Sequence, residues 1–246
     1  MKLPGLVVAA IALLAGSALA HGGLADISVY DRTDGRWLPA YRHQGRMYVV
    51  GKPGHEYQVR VSSRLREDLL AVVSVDGVNV ITGQSAHPSQ SGYVIAPRGL
   101  IDMHGWRRSL SQTAAFYFTS LPDSYAARTG RPHDAGVIGV ALFRRKHEPR
   151  SAPIAPAEPQ ARKESSDAAS GVLAERDSRL GTGHGRHETS HATHVSFERA
   201  TAAPAEVITL YYDSYANLVA RGVIREPVRV APTPRPFPGF VPDPQG

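Results

Sequence analysis

Cysteine is missing from all 246 residues. No disulfide can brace the fold, a small cystine scaffold is excluded, and a hydrophobic core of adequate size has to hold the chain together. Long apolar runs are nearly missing too: the run from Leu6 to Leu14 is too short to cross a bilayer and nothing comparable follows it. That excludes a polytopic membrane protein and predicts no membrane span. Nor is charge of one sign concentrated anywhere. The 28 Lys and Arg against 22 Asp and Glu leave +6 spread along the chain, whereas a nucleic-acid binder gathers its cations on one face to displace counterions. Nucleic acid is therefore not expected as a partner. Collagen and coiled-coil patterns are also absent. What remains is ordinary globular composition, 42% hydrophobic, at a length that fits one domain with extensions.

The first twenty residues read as a signal peptide. Lys2 supplies the positive start, Leu6 to Leu14 the apolar stretch, and Ala18-Leu19-Ala20 the small-x-small cleavage site. The expected product is periplasmic or secreted and starts at His21. With no cysteine after the apolar stretch, lipid acylation is excluded.

From Ile27 to Arg144 short β-type runs alternate with turn residues, and a period of 3.6 is hardly seen. Strands are expected at Tyr57 to Val61, Leu69 to Val75, Val78 to Thr82, Gly92 to Ile95, Ala114 to Thr119 and Val137 to Phe143. Asp76-Gly77 between two alternating valine runs predicts a type I′ hairpin, because both residues tolerate positive φ. Gly105-Trp106 is expected to close one end of the core. The fold predicted for 21–147 is an antiparallel β-sandwich.

Between 148 and 180 prolines sit among Ala, Ser and mixed charges with few bulky apolar residues, the composition of a disordered linker. Order is expected to resume over 181–226. There Val195 and Phe197 alternate as one strand, Val207 to Tyr212 form a second, and a helix follows with Asp213 as its N-cap and Gly222 at its end. So small a strand-strand-helix unit cannot hold its own core and should dock on the sandwich. Residues 227–246 are Pro-rich and read as an extended tail. Asp123-Ser124-Tyr125-Ala126 recurs as Asp213-Ser214-Tyr215-Ala216, which two similar helix starts explain without an internal repeat.

Chemistry concentrates in Gly183-His184-Gly185-Arg186-His187-Glu188-Thr189-Ser190-His191-Ala192-Thr193-His194. His187-Glu188-x-x-His191 has the spacing of a zinc hydrolase: on a helix the two imidazoles share a face, and Glu188 would take a proton from metal-bound water. The flanking glycines and the lack of apolar residues before Val195 argue for a polar loop instead. In that loop His187, His191 and His194 are the candidate metal ligands, for adventitious zinc or nickel. His21 offers a different site, since its freed amino group and imidazole could chelate copper with a second ligand from His43, His55, His87 or His104. Ser89-Gln90-Ser91-Gly92 lacks the pattern around a nucleophilic serine, and Gly181-Thr182-Gly183-His184-Gly185 lacks the Lys and βαβ context of a phosphate cradle. Those glycines are expected to allow positive φ or a close approach to the sandwich.

Val73-Ser74-Val75-Asp76-Gly77-Val78-Asn79-Val80, Ser91-Gly92-Tyr93, Gly105-Trp106-Arg107, Gly136-Val137-Ile138-Gly139-Val140, Gly181-Thr182-Gly183-His184-Gly185, Phe197-Glu198-Arg199-Ala200 and Tyr212-Asp213 through Gly222-Val223-Ile224 together resemble uncharacterised exported proteins of Gram-negative bacteria. The resemblance spans both ordered parts and brings no activity with it. It implies an envelope-associated protein. The resulting expectation is a mainly β, non-enzymatic binding or interaction module without a resident cofactor, whose partner is an unidentified protein or envelope component. A zinc hydrolase and a copper protein stand as the alternatives.

Overall fold

A computed structural model describes residues 20–146 and 179–225. The predicted leader up to residue 19, nearly all of the predicted linker and the Pro-rich tail lie outside the described residues. In chain order the strands are β1 (Ala20–His21), β2 (Ala25–Asp31), β3 (Arg36–Trp37), β4 (Ala40–His43), β5 (Arg46–Val50), β6 (Glu56–Ser63), β7 (Leu69–Val75), β8 (Val78–Asn79), β9 (Tyr93–Ile95), β10 (Leu100–Met103), β11 (Gly105–Arg107), β12 (Gln112–Ser120), β13 (Val137–Arg144), β14 (Leu180–Thr189) and β15 (Glu206–Asp213). Two short helices accompany them, α1 (Tyr125–Arg128) and α2 (Tyr215–Ala220).

The strands form two sheets packed face to face, as the alternating pattern predicts. One sheet is built around β2, β6 and β12, with β10 added on β6 and β11 and β14 on β12. The other runs β4-β5-β15-β13-β7-β8, with β9 also on β7. Period-2 burial is clean where only one face is covered: Tyr57, Val59 and Val61 of β6 point inward between half-exposed neighbours. Phe116 and Phe118 join them from β12. Tyr57 stacks on Phe118 at 4.2 Å and lies 5.4 Å from Phe116. Full burial of each such ring is worth about 1.5–3 kcal/mol.

β7 is buried on both faces. Val73 and Val75 enter the central core, while Leu70 and Val72 form an outer cluster with Ala141 and Phe143. Phe197 covers that cluster, and this corrects one expectation. Val195 and Phe197 do not make a strand; residues 190–197 run as a strap between the two sheets. Ser190 and Ala192 donate their N–H groups to Ser111 and Leu110 at one end of the strap, and Lys146 and Ala200 tie down the other end through Glu198 and Arg144.

Among the strands outside the expected runs is β14, which holds Gly181 to Gly185 and the start of the histidine cluster. It pairs along β12 from Ser120↔Leu180 to Gln112↔Thr189, with a bulge where Gly185 and Arg186 oppose Ala115. The C-terminal segment is also more than docked. β15 lies in the middle of its sheet, antiparallel to β13 and parallel to β5, and β14 completes the other sheet. After β15, Ser214 rather than Asp213 caps α2, accepting from Asn217 N–H at 3.2 Å. Leu218, Val223 and Ile224 then cover Tyr48 on the outer face. Ser124 caps α1 in the same way, through Ala127 N–H, so the repeated tetrapeptide is two serine caps.

Candidate functional site

The strand conformation of β14 takes apart the zinc motif. Successive residues of a strand face opposite sides, so His187 and Glu188 diverge: His187 Nε2 meets Arg108 at 2.8 Å, while Glu188 turns to the other face. There Arg32 grips the Glu188 carboxylate through both terminal nitrogens at 2.9 Å, and Arg186 adds a contact at 2.6 Å. Arg186 also pairs with Glu56 at 2.7 and 2.9 Å. The result is an alternating network of two arginines and two glutamates. Glu188, its side chain only 9% exposed, is committed to it. His191 and His194 lie beyond the strand in the exposed strap. Among the described residues the three imidazoles form no group of mutually reachable ligand atoms. The hydrolase reading fails because the helical register that would align His187 with His191 is absent.

The candidates for a second copper ligand are scattered. His55 Nδ1 contacts the Asp31 carboxylate at 2.9 Å and His87 Nδ1 contacts the Ser89 hydroxyl at 2.7 Å. His43 ends β4 and His104 lies between β10 and β11. His21 falls in β1, its backbone opposite Asp26.

Asp31, Asp34 and His55 do bring ligand atoms within 4.8 Å of one another. Their contacts already satisfy them. Asp31 accepts from the N–H groups of Thr33 and Asp34 and meets His55, while Lys52 binds Asp34 at 2.6 Å. The Lys52 hydrogen bond, together with the charges of Lys52, His55 and Arg36, holds the Asp34 carboxyl below its usual range despite desolvation. With these partners in place the trio makes no case for a metal.

A second cluster is wholly internal. Asp76, the first central residue of the β7–β8 hairpin, has φ +52 and Gly77 has +71, the predicted type I′ turn. Its carboxylate points into the core rather than into water. It accepts from Tyr212 Oη at 2.5 Å, Thr182 N–H at 2.6 Å, Gly136 N–H at 3.0 Å and Val137 N–H at 3.4 Å. Thr182 Oγ1 lies 2.6 Å from both Tyr212 Oη and Tyr57 Oη. Burial pushes the Asp76 carboxyl up to about 6 against these favourable hydrogen bonds, and pushes both phenols well above their ordinary value. Four segments far apart in the chain, around Asp76, Gly136-Val137, Thr182 and Tyr212, meet at this one carboxylate. Sequence reading placed Asp76 in the turn and missed its inward orientation, for which the local residues carry no signal.

The glycines flanking Thr182 serve the same node. None of Gly181, Gly183 and Gly185 has positive φ. A Cβ at Gly181 would meet Ser124 Cβ at 2.4 Å, and one at Gly183 would meet the Tyr117 ring at 2.2 Å. They allow close approach.

A cleft of about 580 Å³ opens where β9 and β10 meet the strap. Leu70, Ile101, Met103 and Phe197 give it an apolar floor, and Tyr93, His104, Arg107, Thr113, His191, His194 and Arg199 bring polar groups to it. The cleft thus collects the two histidines that β14 does not hold. Burial foremost, with the charge of Arg32, pulls the His104 imidazole below its ordinary value. Arg107 donates to Tyr93 Oη at 3.0 Å and to Ser190 O and Oγ at 2.8 and 3.0 Å. Arg199 donates to the carbonyls of Pro88 and Gln90 at 2.8 and 2.6 Å and lies 4.1 Å over the Phe143 ring. Thr113 Oγ1 is buried with no partner. Compared with models of protein families, with curated proteins and with solved structures, the chain matches none.

Proposed function

We propose that the protein is an exported, envelope-associated binding module without a reaction of its own, and that its ligand enters the cleft beneath the strap. The observation that carries this reading is the cleft's make-up. It combines an apolar floor with polar side chains, Tyr93, Arg107 and Arg199 among them, the mixture by which pockets bind and orient small molecules. Its volume lies within the range of such pockets, roughly 300–1,000 Å³. The leader-like first twenty residues and the resemblance to exported proteins support the location.

Because the chain lacks cysteine, one introduced thiol can be labelled uniquely. Val195, 61% exposed on the strap, is the place for it. A solvatochromic dye on Val195→Cys should shift its emission saturably with a small-molecule extract of the cell envelope. The same dye on Arg42→Cys, at the far edge of the sheet on β4, should not respond. Unchanged emission from the strap across the extract's fractions would remove the cleft from consideration. Export is checked separately: protein recovered from the periplasm should have lost twenty residues by intact mass.

A further inference from the structure

The cleft is lined by two arginines that have no acid partner among the described residues. Several arginines of the two sheets are paired with acids, among them Arg32 with Glu188, Arg60 with Asp102, Arg144 with Glu67 and Arg186 with Glu56. Arg107 and Arg199 are held differently. Their guanidinium groups are held by neutral oxygens, namely carbonyls, the Ser190 hydroxyl and the Tyr93 phenol, and neither has a carboxylate partner among the described residues. The carboxylate that does line the cleft, Asp102, is bound by Arg60 through two parallel bonds of 2.7 and 2.6 Å. Two arginines held by neutral oxygens therefore line the cleft. Because carbonyls hold both arginines in place, little side-chain entropy is lost when an anion arrives.

Thr113 adds an independent pointer. Thr113 lines the cleft, and its hydroxyl, buried behind that lining, has no partner; it is a donor left for an acceptor once side-chain motion opens the lining to it. A hydroxyl can donate to an oxygen acceptor, as can the phenol of Tyr93, which already accepts from Arg107. The donors converge over an apolar floor, so a small inorganic anion would leave that floor wet.

We propose that the cleft binds an organic monoanion: a carboxylate carried on a short aliphatic or aromatic body, with its charge against Arg107 and Arg199 and its body on the floor. This rests on the cleft being the ligand site. The polar end is recognised by guanidinium and hydroxyl donors, which suit a carboxylate's oxygens. The apolar end contributes through the area it removes from water.

Octanoate, 1-octanol and octylammonium share a body and differ in charge, so titration calorimetry with these three at pH 7.5 tests the idea. Octanoate should bind with a Kd at or below about 1 mM, and the alcohol and the cation at least about tenfold more weakly. Arg199→Gln should weaken octanoate about tenfold while leaving octanol unchanged. Thr113→Val keeps the side-chain shape and should weaken octanoate about threefold or more without moving the melting temperature. If Arg199→Gln does not fold, the Thr113→Val result and the charge series still decide. Octanoate that fails to bind, or that binds no better than its two analogues, overturns the proposal. The extract response of the labelled Val195→Cys variant then separates the outcomes: a surviving response leaves the cleft as a site for another ligand class, and its absence removes both.

Discussion

An inward-turned carboxylate is costly in a β-hairpin, and at Asp76 that cost takes the form of a titration. Burial raises its pKa to about 6 from 3.8, so between those values the folded chain binds the proton more tightly than the unfolded chain does. The sign follows from linkage: the contribution of Asp76 to stability is fullest below about pH 4 and declines as pH rises through 6. Asp34 and Glu56 act oppositely. Hydrogen bonds to Lys52 and Arg186 respectively hold their carboxyls low, so their support is present above the unfolded value and is lost as pH falls. Comparing wild type with Asp76→Asn cancels those shared contributions. The stability difference between the two, measured by urea unfolding, should move against wild type by about 2–3 kcal/mol between pH 4 and pH 7. Parallel curves would mean that the carboxylate does not titrate in this range. Glu188 yields a second expectation at this scale. The loop reading makes Glu188→Gln silent, but its double grip by Arg32 and Arg186 in a mostly buried position makes the substitution destabilising by about 1–3 kcal/mol. Thermal melting checks it, and an unchanged melting temperature would place Glu188 outside the network.

Among the elements, legibility follows apolar periodicity. β7 matches its expected bounds and β13 extends one residue beyond, because Val, Leu and Ile mark buried strands without help from context. The type I′ turn was readable for a local reason too, since Asp-Gly supplies both positive φ angles. β14 was not readable. Its residues are glycines, histidines and charges, and what makes it a strand is the ladder offered by β12, a partner some sixty residues earlier. The reverse error fell on Val195 and Phe197, whose alternation is genuine but whose backbone forms a strap, because Phe197 is drawn onto Leu70, Val72, Ala141 and Phe143. The cleft was hidden for the same reason. Arg107 and Thr113 face each other across the β11–β12 hairpin, but Arg199 comes from a distant segment, and no spacing in the chain announces that it joins them.

At the scale of the whole molecule, residues 180–225 are structural members of the sandwich. β15 supplies Ile208, Leu210 and Tyr212 to the central core and joins β5 to β13. A chain ending at residue 146 would leave those two strands without their shared neighbour and Asp76 without Thr182 and Tyr212. Such a truncation should show no cooperative unfolding transition by circular dichroism; a cooperative one would return the C-terminal segment to the status of a docked accessory. β5 and β15 lie side by side although about 160 residues separate them along the chain. During synthesis the β5 and β13 edges therefore exist long before the strand that closes them, and open edges of this kind recruit wrong partners. The sandwich cannot be completed from the N-terminus onward. Its folding has to wait for β15, the last of the described strands, to be made, so the time spent incomplete is set by synthesis and delivery of the C-terminal segment rather than by the strands already present.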